Sequence, residues 1–135
     1  MKIFLTSLLI AITFILNITS TFAGTIADDD ELKVAIRSFS RELGLANAQA
    51  SNCSDEKGVS RVETLRTRGI KRFIEAGFPQ TSVEAFDDFT RKAIEDEHER
   101  IGQRCDEESL QLFMRGAERE YKDLEDVLSR YVVPQ

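Results

Sequence analysis

The chain has one histidine, two cysteines, two prolines and no tryptophan in 135 residues, and each scarcity removes a class of chemistry. Carboxylate-bridged di-metal bundles need two Glu-x-x-His steps and two further Glu on facing helices. Here Glu95-Asp96-Glu97-His98 supplies one step, and no second histidine exists to make another. Haem held between His98 and Met114 would lack the Cys-x-x-Cys-His attachment run. His98-Glu99 opens a metalloprotease-like string that no second histidine completes. On its helix His98 borders the apolar face, as a surface residue would. Cys53 and Cys105 form no Cys-x-x-Cys redox motif and are too few for structural zinc. There is no Gly-x-Ser-x-Gly elbow and no glycine-rich phosphate loop. Paired carboxylates such as Asp87 and Asp88 fall on a predicted helix surface, not across a groove as glycoside hydrolysis requires. The sequence therefore offers no catalytic, cofactor-binding or metal-ligating residue, and the expectation is a protein that is not an enzyme and carries no cofactor.

Basic charge is also in deficit. There are 18 Lys and Arg against 24 Asp and Glu, for a net charge of −6. A negative chain with no basic tail is a poor ligand for nucleic-acid phosphates or for an anionic membrane surface.

The one long apolar run lies at the start. Lys2 is followed by Ile3 to Ile18, interrupted only by Thr6, Ser7, Thr13 and Asn17, and then by Thr21-Phe22-Ala23. A short positive region, an apolar core and small residues at a cleavage site make residues 1–23 a signal peptide by pattern. The run is shorter than the roughly 20 residues of a spanning helix. The residue after the expected cut is Gly24, which gives no lipid-anchored maturation. The expected product is a single helical domain, residues 24–135, periplasmic or secreted, with no stable membrane anchor. The cut removes Lys2 and no acid, so that product is more negative than the whole chain.

With proline only at Pro79 and Pro134, and aliphatics recurring every three to four positions, the pattern is helical throughout. A first helix is predicted from Asp29 to Leu43, burying Leu32, Ile36, Phe39 and Leu43, with Gly44 as C-cap and Leu45–Ser54 as a polar loop. A second runs from about Asp55 to Ala76 on a stripe of Val59, Val62, Leu65, Ile70, Phe73 and Ile74, ended by Gly77-Phe78-Pro79. A third starts at the capping box Thr81-Ser82-Val83-Glu84, buries Val83, Phe86, Phe89, Ala93, Ile94 and Ile101, and stops at Gly102. The fourth, from about Asp106 to Tyr131, repeats Leu110, Phe113, Ala117, Tyr121, Leu124, Leu128 and Tyr131 at bundle spacing.

These elements predict an all-α, antiparallel four-helix bundle, with short turns making successive helices neighbours. Cys53 precedes the second helix and Cys105 the fourth. In an up-down-up-down bundle those two helices start at the same end, so the cysteines are expected to pair. In an exported chain an even cysteine count reads as a disulfide, and closing this loop contributes about 4 kcal/mol by chain entropy.

The charge pattern suggests contact surfaces. Between Arg61 and Arg72 the second helix carries Arg61, Arg66, Arg68, Lys71 and Arg72 against Glu63 alone, and Arg61, Arg68 and Arg72 share a face. Such a stripe either docks an acidic partner or pairs with acids on neighbouring helices, at about 0–1 kcal/mol per exposed pair. Phe78, in its turn, either anchors a partner or folds back over the core. Asn52-Cys53-Ser54 fits a glycosylation acceptor in a eukaryotic secretory pathway. By elimination, the expected function is protein–protein binding. An inhibitor- or immunity-type protein for a secreted enzyme is one such role, by analogy of size, compartment and architecture alone. A periplasmic stress chaperone, an apolar-ligand carrier and a secreted effector are the alternatives. The expected contacts are residues 45–54, the Gly77–Thr81 turn, and Arg61, Arg68, Arg72 and Phe78.

Overall fold

The computed structural model describes residues 26–135; the expected signal peptide lies outside the described residues. Four helices follow in order: α1 (Asp29–Asn52), α2 (Glu56–Glu75), α3 (Gln80–Ile101) and α4 (Glu107–Arg130). No strand occurs among the described residues.

Local chemistry sets most of the boundaries. Asp28 caps α1, accepting from the Glu31 amide at 2.8 Å, and three acids in the first turn complement the helix dipole. Asp55 caps α2 through the Gly58 amide at 3.1 Å. Asp106 caps α4 through the Ser109 amide at 3.2 Å. These bonds hold the Asp106 carboxyl below its ordinary range. Gly77 and Gly102 end α2 and α3 with positive φ, 90° and 77°, a region glycine enters at little cost.

Three expectations about the helices themselves need correction. The stretch read as a loop, residues 45–54, is helical as far as Asn52, and Gly44 lies inside α1 as a buried residue. Its signal was weak because most buried positions there are small: Ala46, Ala48 and Ala50 are fully enclosed. Small side chains suit a helix that others approach closely. A Cβ on Gly44 would stand 2.8 Å from the Ala93 carbonyl oxygen of α3, so glycine's cost of about 1 kcal/mol within a helix is offset by proximity. The Thr81 capping box does not form: α3 starts at Gln80, with Pro79 as N-cap and no side-chain cap. Glu84 accepts instead from Gln80 Nε2 at 3.3 Å. Finally, Ile74 and Phe89 are 57% and 45% exposed. On α3 the core position next to Phe89 goes to Thr90, whose hydroxyl donates to the Asp87 carbonyl at 2.8 Å.

The helices form a bundle with α1 at its centre. Both α1 and α2 pack against all three other helices, α1 the more extensively, whereas the backbones of α3 and α4 do not approach each other closely. Short connections thus do not make α3 and α4 neighbours; α1 and α2 stand between them. Phe39 lies at the heart of the core, with its ring centroid 6.3 Å from Phe86 and 6.0 Å from Tyr121. Phe73 stacks on Phe86 at 4.2 Å.

Both ends of the bundle are tied. At one, Cys53 and Cys105 form the expected disulfide, with a Cα separation of 4.7 Å. There the polar residues of the α1 C-terminus hold the α3–α4 linker. Asn52 Nδ2 donates to the carbonyls of Gly102 and Arg104 at 2.9 and 3.2 Å, and Gln49 Oε1 accepts from the Asp106 amide at 2.9 Å. At the other end Ala27 bridges Tyr131, its amide donating to the Arg130 carbonyl at 3.0 Å. The Tyr131 hydroxyl donates to Asp29 Oδ1 at 2.6 Å, which pushes the phenol's pKa up.

Candidate functional site

The basic stripe of α2 is largely met by acids of α4. Arg61 pairs with Glu118. Arg72 reaches Glu75 at 3.0 Å and Glu125 at 2.5 Å, and Tyr121 OH also donates to Glu125 at 3.1 Å. Bonding to Tyr121 and Glu125 raises the Arg72 pKa above its ordinary value. Arg68 is exposed and makes no ion pair among the described residues. With Lys71, Arg72 and Tyr121 it borders a shallow depression of about 330 Å³. Arg66, counted in the same basic cluster, turns inward and is buried. It grips Glu63 at 2.5 and 3.0 Å and also bonds Asp87 of α3. Its hydrogen bond holds the Glu63 carboxyl below its usual range.

Phe78 is half-buried at the tied end. Its ring lies 4.8 Å from Phe73 and 5.7 Å from Tyr131, stacked on the latter. His98 joins α3 to α1, with Nε2 2.6 Å from Asn47 Oδ1; a carbonyl-type oxygen there calls for the Nε2–H tautomer. No group of three or more His, Cys, Asp or Glu side chains suited to a metal ion occurs among the described residues. The Asn52 amide nitrogen, the atom a glycan would occupy, is engaged by the α3–α4 linker.

A second concavity lies elsewhere, between the first half of α1 and the second half of α4. It is an open groove of about 600 Å³. Its walls carry six carboxylates, Asp28, Asp30, Glu31, Glu120, Asp123 and Asp126, against one guanidinium, Arg130. Arg130 is already engaged, reaching Glu31 at 3.3 Å and Asp126 at 3.1 Å, and these acids raise its pKa. Asp30 and Asp123 make no ion pair among the described residues. Val34, Ala35 and Val127 supply the apolar lining, with Val34 60% exposed. α3 contributes nothing to this groove, as expected where α3 and α4 stand apart.

Sequence reasoning missed this site. The acidic run before α1 has a sufficient local explanation in the helix dipole, and the α4 acids look like a solvated face. The available signal was the three-residue recurrence of Glu120, Asp123 and Asp126, which puts one charge sign along one edge of a helix.

Further along the same two helices, Glu42 of α1 lies over Gly116 of α4. Burial pushes its carboxyl pKa up, against the pull of Arg119 and Arg41. No protein-family model, curated protein or solved structure matches this chain, so its function is argued from its own residues.

Proposed function

We propose that this is an exported binding protein that acts by docking on another protein, in the manner of an inhibitor or immunity protein for a secreted enzyme. The observation that carries the reading is the carboxylate-walled groove between α1 and α4. A concave surface of one charge sign on a stapled scaffold attracts a partner of opposite sign and speeds encounter. The scaffold is pre-organised: the disulfide and the amides of Asn52 and Gln49 fix one end, and the Ala27–Tyr131 bridge fixes the other. Less ordering entropy is then lost on binding.

Export is supported by the N-terminal pattern of residues 1–23 and by a disulfide, which persists in oxidising compartments. Among the described residues no helix is long and apolar enough to cross a membrane. A chaperone or lipid carrier would present a broad apolar groove; the carboxylates of this one favour a cationic partner.

The test is capture by the oxidised protein, residues 24–135, from extracytoplasmic extract of its own organism and of its competitors or host. One dominant stoichiometric partner, whose enzymatic activity falls as the bundle is added, supports the reading. A crowd of weak clients, or no protein at all, refutes it. N-terminal sequencing of the exported product should begin at Gly24.

A further inference from the structure

We propose that the α1–α4 groove is the docking site for a cationic amphipathic helix, presented by a protein partner. The inference rests on the binding-protein reading and names the chemistry of the partner at that site. Three observations select the occupant. The first is shape. The wall contributed by α1 runs from Asp28 to Ser38, about 15 Å or three helical turns, with α4 alongside. Such a trough, walled by two helices and open to solvent, matches a helix laid along it. The second is the lining. Val34 is exposed in the middle of the trough, and Ile26 and Val132, 64% and 68% exposed, flank the Ala27–Tyr131 bridge at its end. An apolar stripe on the incoming helix would cover Val34. The third is charge. Arg130 shows how these walls take a cation, since its guanidinium spans Glu31 of α1 and Asp126 of α4. Asp30 and Asp123 are left for Lys or Arg side chains from outside. An acidic or purely apolar helix would leave those carboxylates desolvated without a partner, which is costly.

The probe is a synthetic helix of about 18 residues, long enough to hold helical structure, with Leu on one face and Lys on the other. A Glu/Leu counterpart and a scrambled Lys/Leu peptide run beside it in titration calorimetry. Saturable one-to-one binding of the cationic amphipathic helix alone is expected, weakening with salt. Val34→Arg places a guanidinium in the trough at an exposed position where arginine is the better helix former. It should cut affinity about tenfold or more, the equivalent of one lost hot spot. Asp30→Asn with Asp123→Asn should cut it about three- to tenfold. Asp88→Asn with Glu99→Gln, the same charge change on exposed positions of α3, should cut it less than about twofold. No binding, equal binding of the scrambled peptide, insensitivity to Val34→Arg, or equal loss in the α3 control would each overturn the assignment. A captured partner that Val34→Arg does not weaken would leave the binding-protein reading standing and remove the groove from it.

Discussion

Two glycine-to-alanine substitutions of identical chemistry should move stability in opposite directions. Each replaces a helix-interior glycine and so gains about 1 kcal/mol of helix propensity. At Gly44 the added methyl would lie 2.8 Å from the Ala93 carbonyl oxygen and 2.8 Å from Glu97 Cγ. The carbonyl belongs to α3's own backbone and cannot turn aside, so α1 and α3 must part by several tenths of an ångström. Overpacking of this kind costs about 1–3 kcal/mol, and the net effect is a loss of about 1 kcal/mol. At Gly116 the methyl meets only the carboxylate end of Glu42, a flexible group that burial already disfavours in its charged form. Glu42 swings toward water, and Gly116→Ala should gain about 1 kcal/mol. Urea unfolding followed by circular dichroism reads both, provided the denaturant slope is unchanged. A Gly44→Ala protein as stable as the parent would refute the close approach of α1 and α3, and with it the α1-centred packing that leaves α3 and α4 apart. Equal damage from Gly116→Ala would refute the distinction between a rigid and a yielding neighbour.

Replacing both Cys53 and Cys105 by Ser, 52 residues apart, should cost about 4 kcal/mol on the chain-entropy account. A loss under about 1 kcal/mol in urea unfolding would mean that the Asn52 and Gln49 hydrogen bonds alone hold that end. Ser40 is buried and its hydroxyl has no hydrogen-bond partner among the described residues, so Ser40→Ala should stabilise by about 1 kcal/mol; destabilisation would reveal a partner for that oxygen. Because the folded pKa of Glu42 is raised above 4.5, the native state holds this proton more tightly than the unfolded chain. Its contribution favours folding at low pH and turns against it as pH rises through the folded value. Glu42→Gln should therefore gain on the parent between pH 4.5 and neutrality, by about half a kcal/mol given its contact with water; a gap that does not grow with pH would refute the burial argument.

Much of the fold was readable because its signals are local. Asp55 and Asp106 announce helix starts, Gly77 and Gly102 announce ends, and the disulfide follows from the order of helices and the position of each cysteine in it. The α1 C-terminus was unreadable by the same method. The stripe Leu32, Ala35, Phe39, Leu43, Ala46, Ala50 runs through it, but its last members are alanines, and they stand among Asn47, Gln49 and Asn52. Those polar residues look like a loop until their partners are known: His98 for Asn47, and the α3–α4 linker for the other two. Tertiary contact, not propensity, makes this segment helical. The groove was hidden for a related reason. Its walls come from residues 28–38 and 120–130, at opposite ends of the described chain, and their juxtaposition follows from α1 packing along α4.

That juxtaposition works against stability. Acids of α1 and α4 face one groove with a single guanidinium between them, and like charges held together oppose the compact state. The two unpaired acids should respond differently. Asp30 lies in the first turn of α1, where a negative charge gains about 0.3–1 kcal/mol from the helix dipole. Repulsion and dipole then nearly cancel, and Asp30→Asn should leave stability unchanged. Asp123 lies well inside α4 and has no such compensation. Since Asn and Asp have similar helix propensity, Asp123→Asn should raise stability by a few tenths of a kcal/mol at low salt, with the gain shrinking as salt is added. The same change should weaken the cationic helix proposed for the groove. A residue whose removal strengthens the free fold and weakens the complex is retained for binding and not for folding. If Asp123→Asn destabilised the free protein, the carboxylate would be structural, and the groove's charge would no longer argue for a partner.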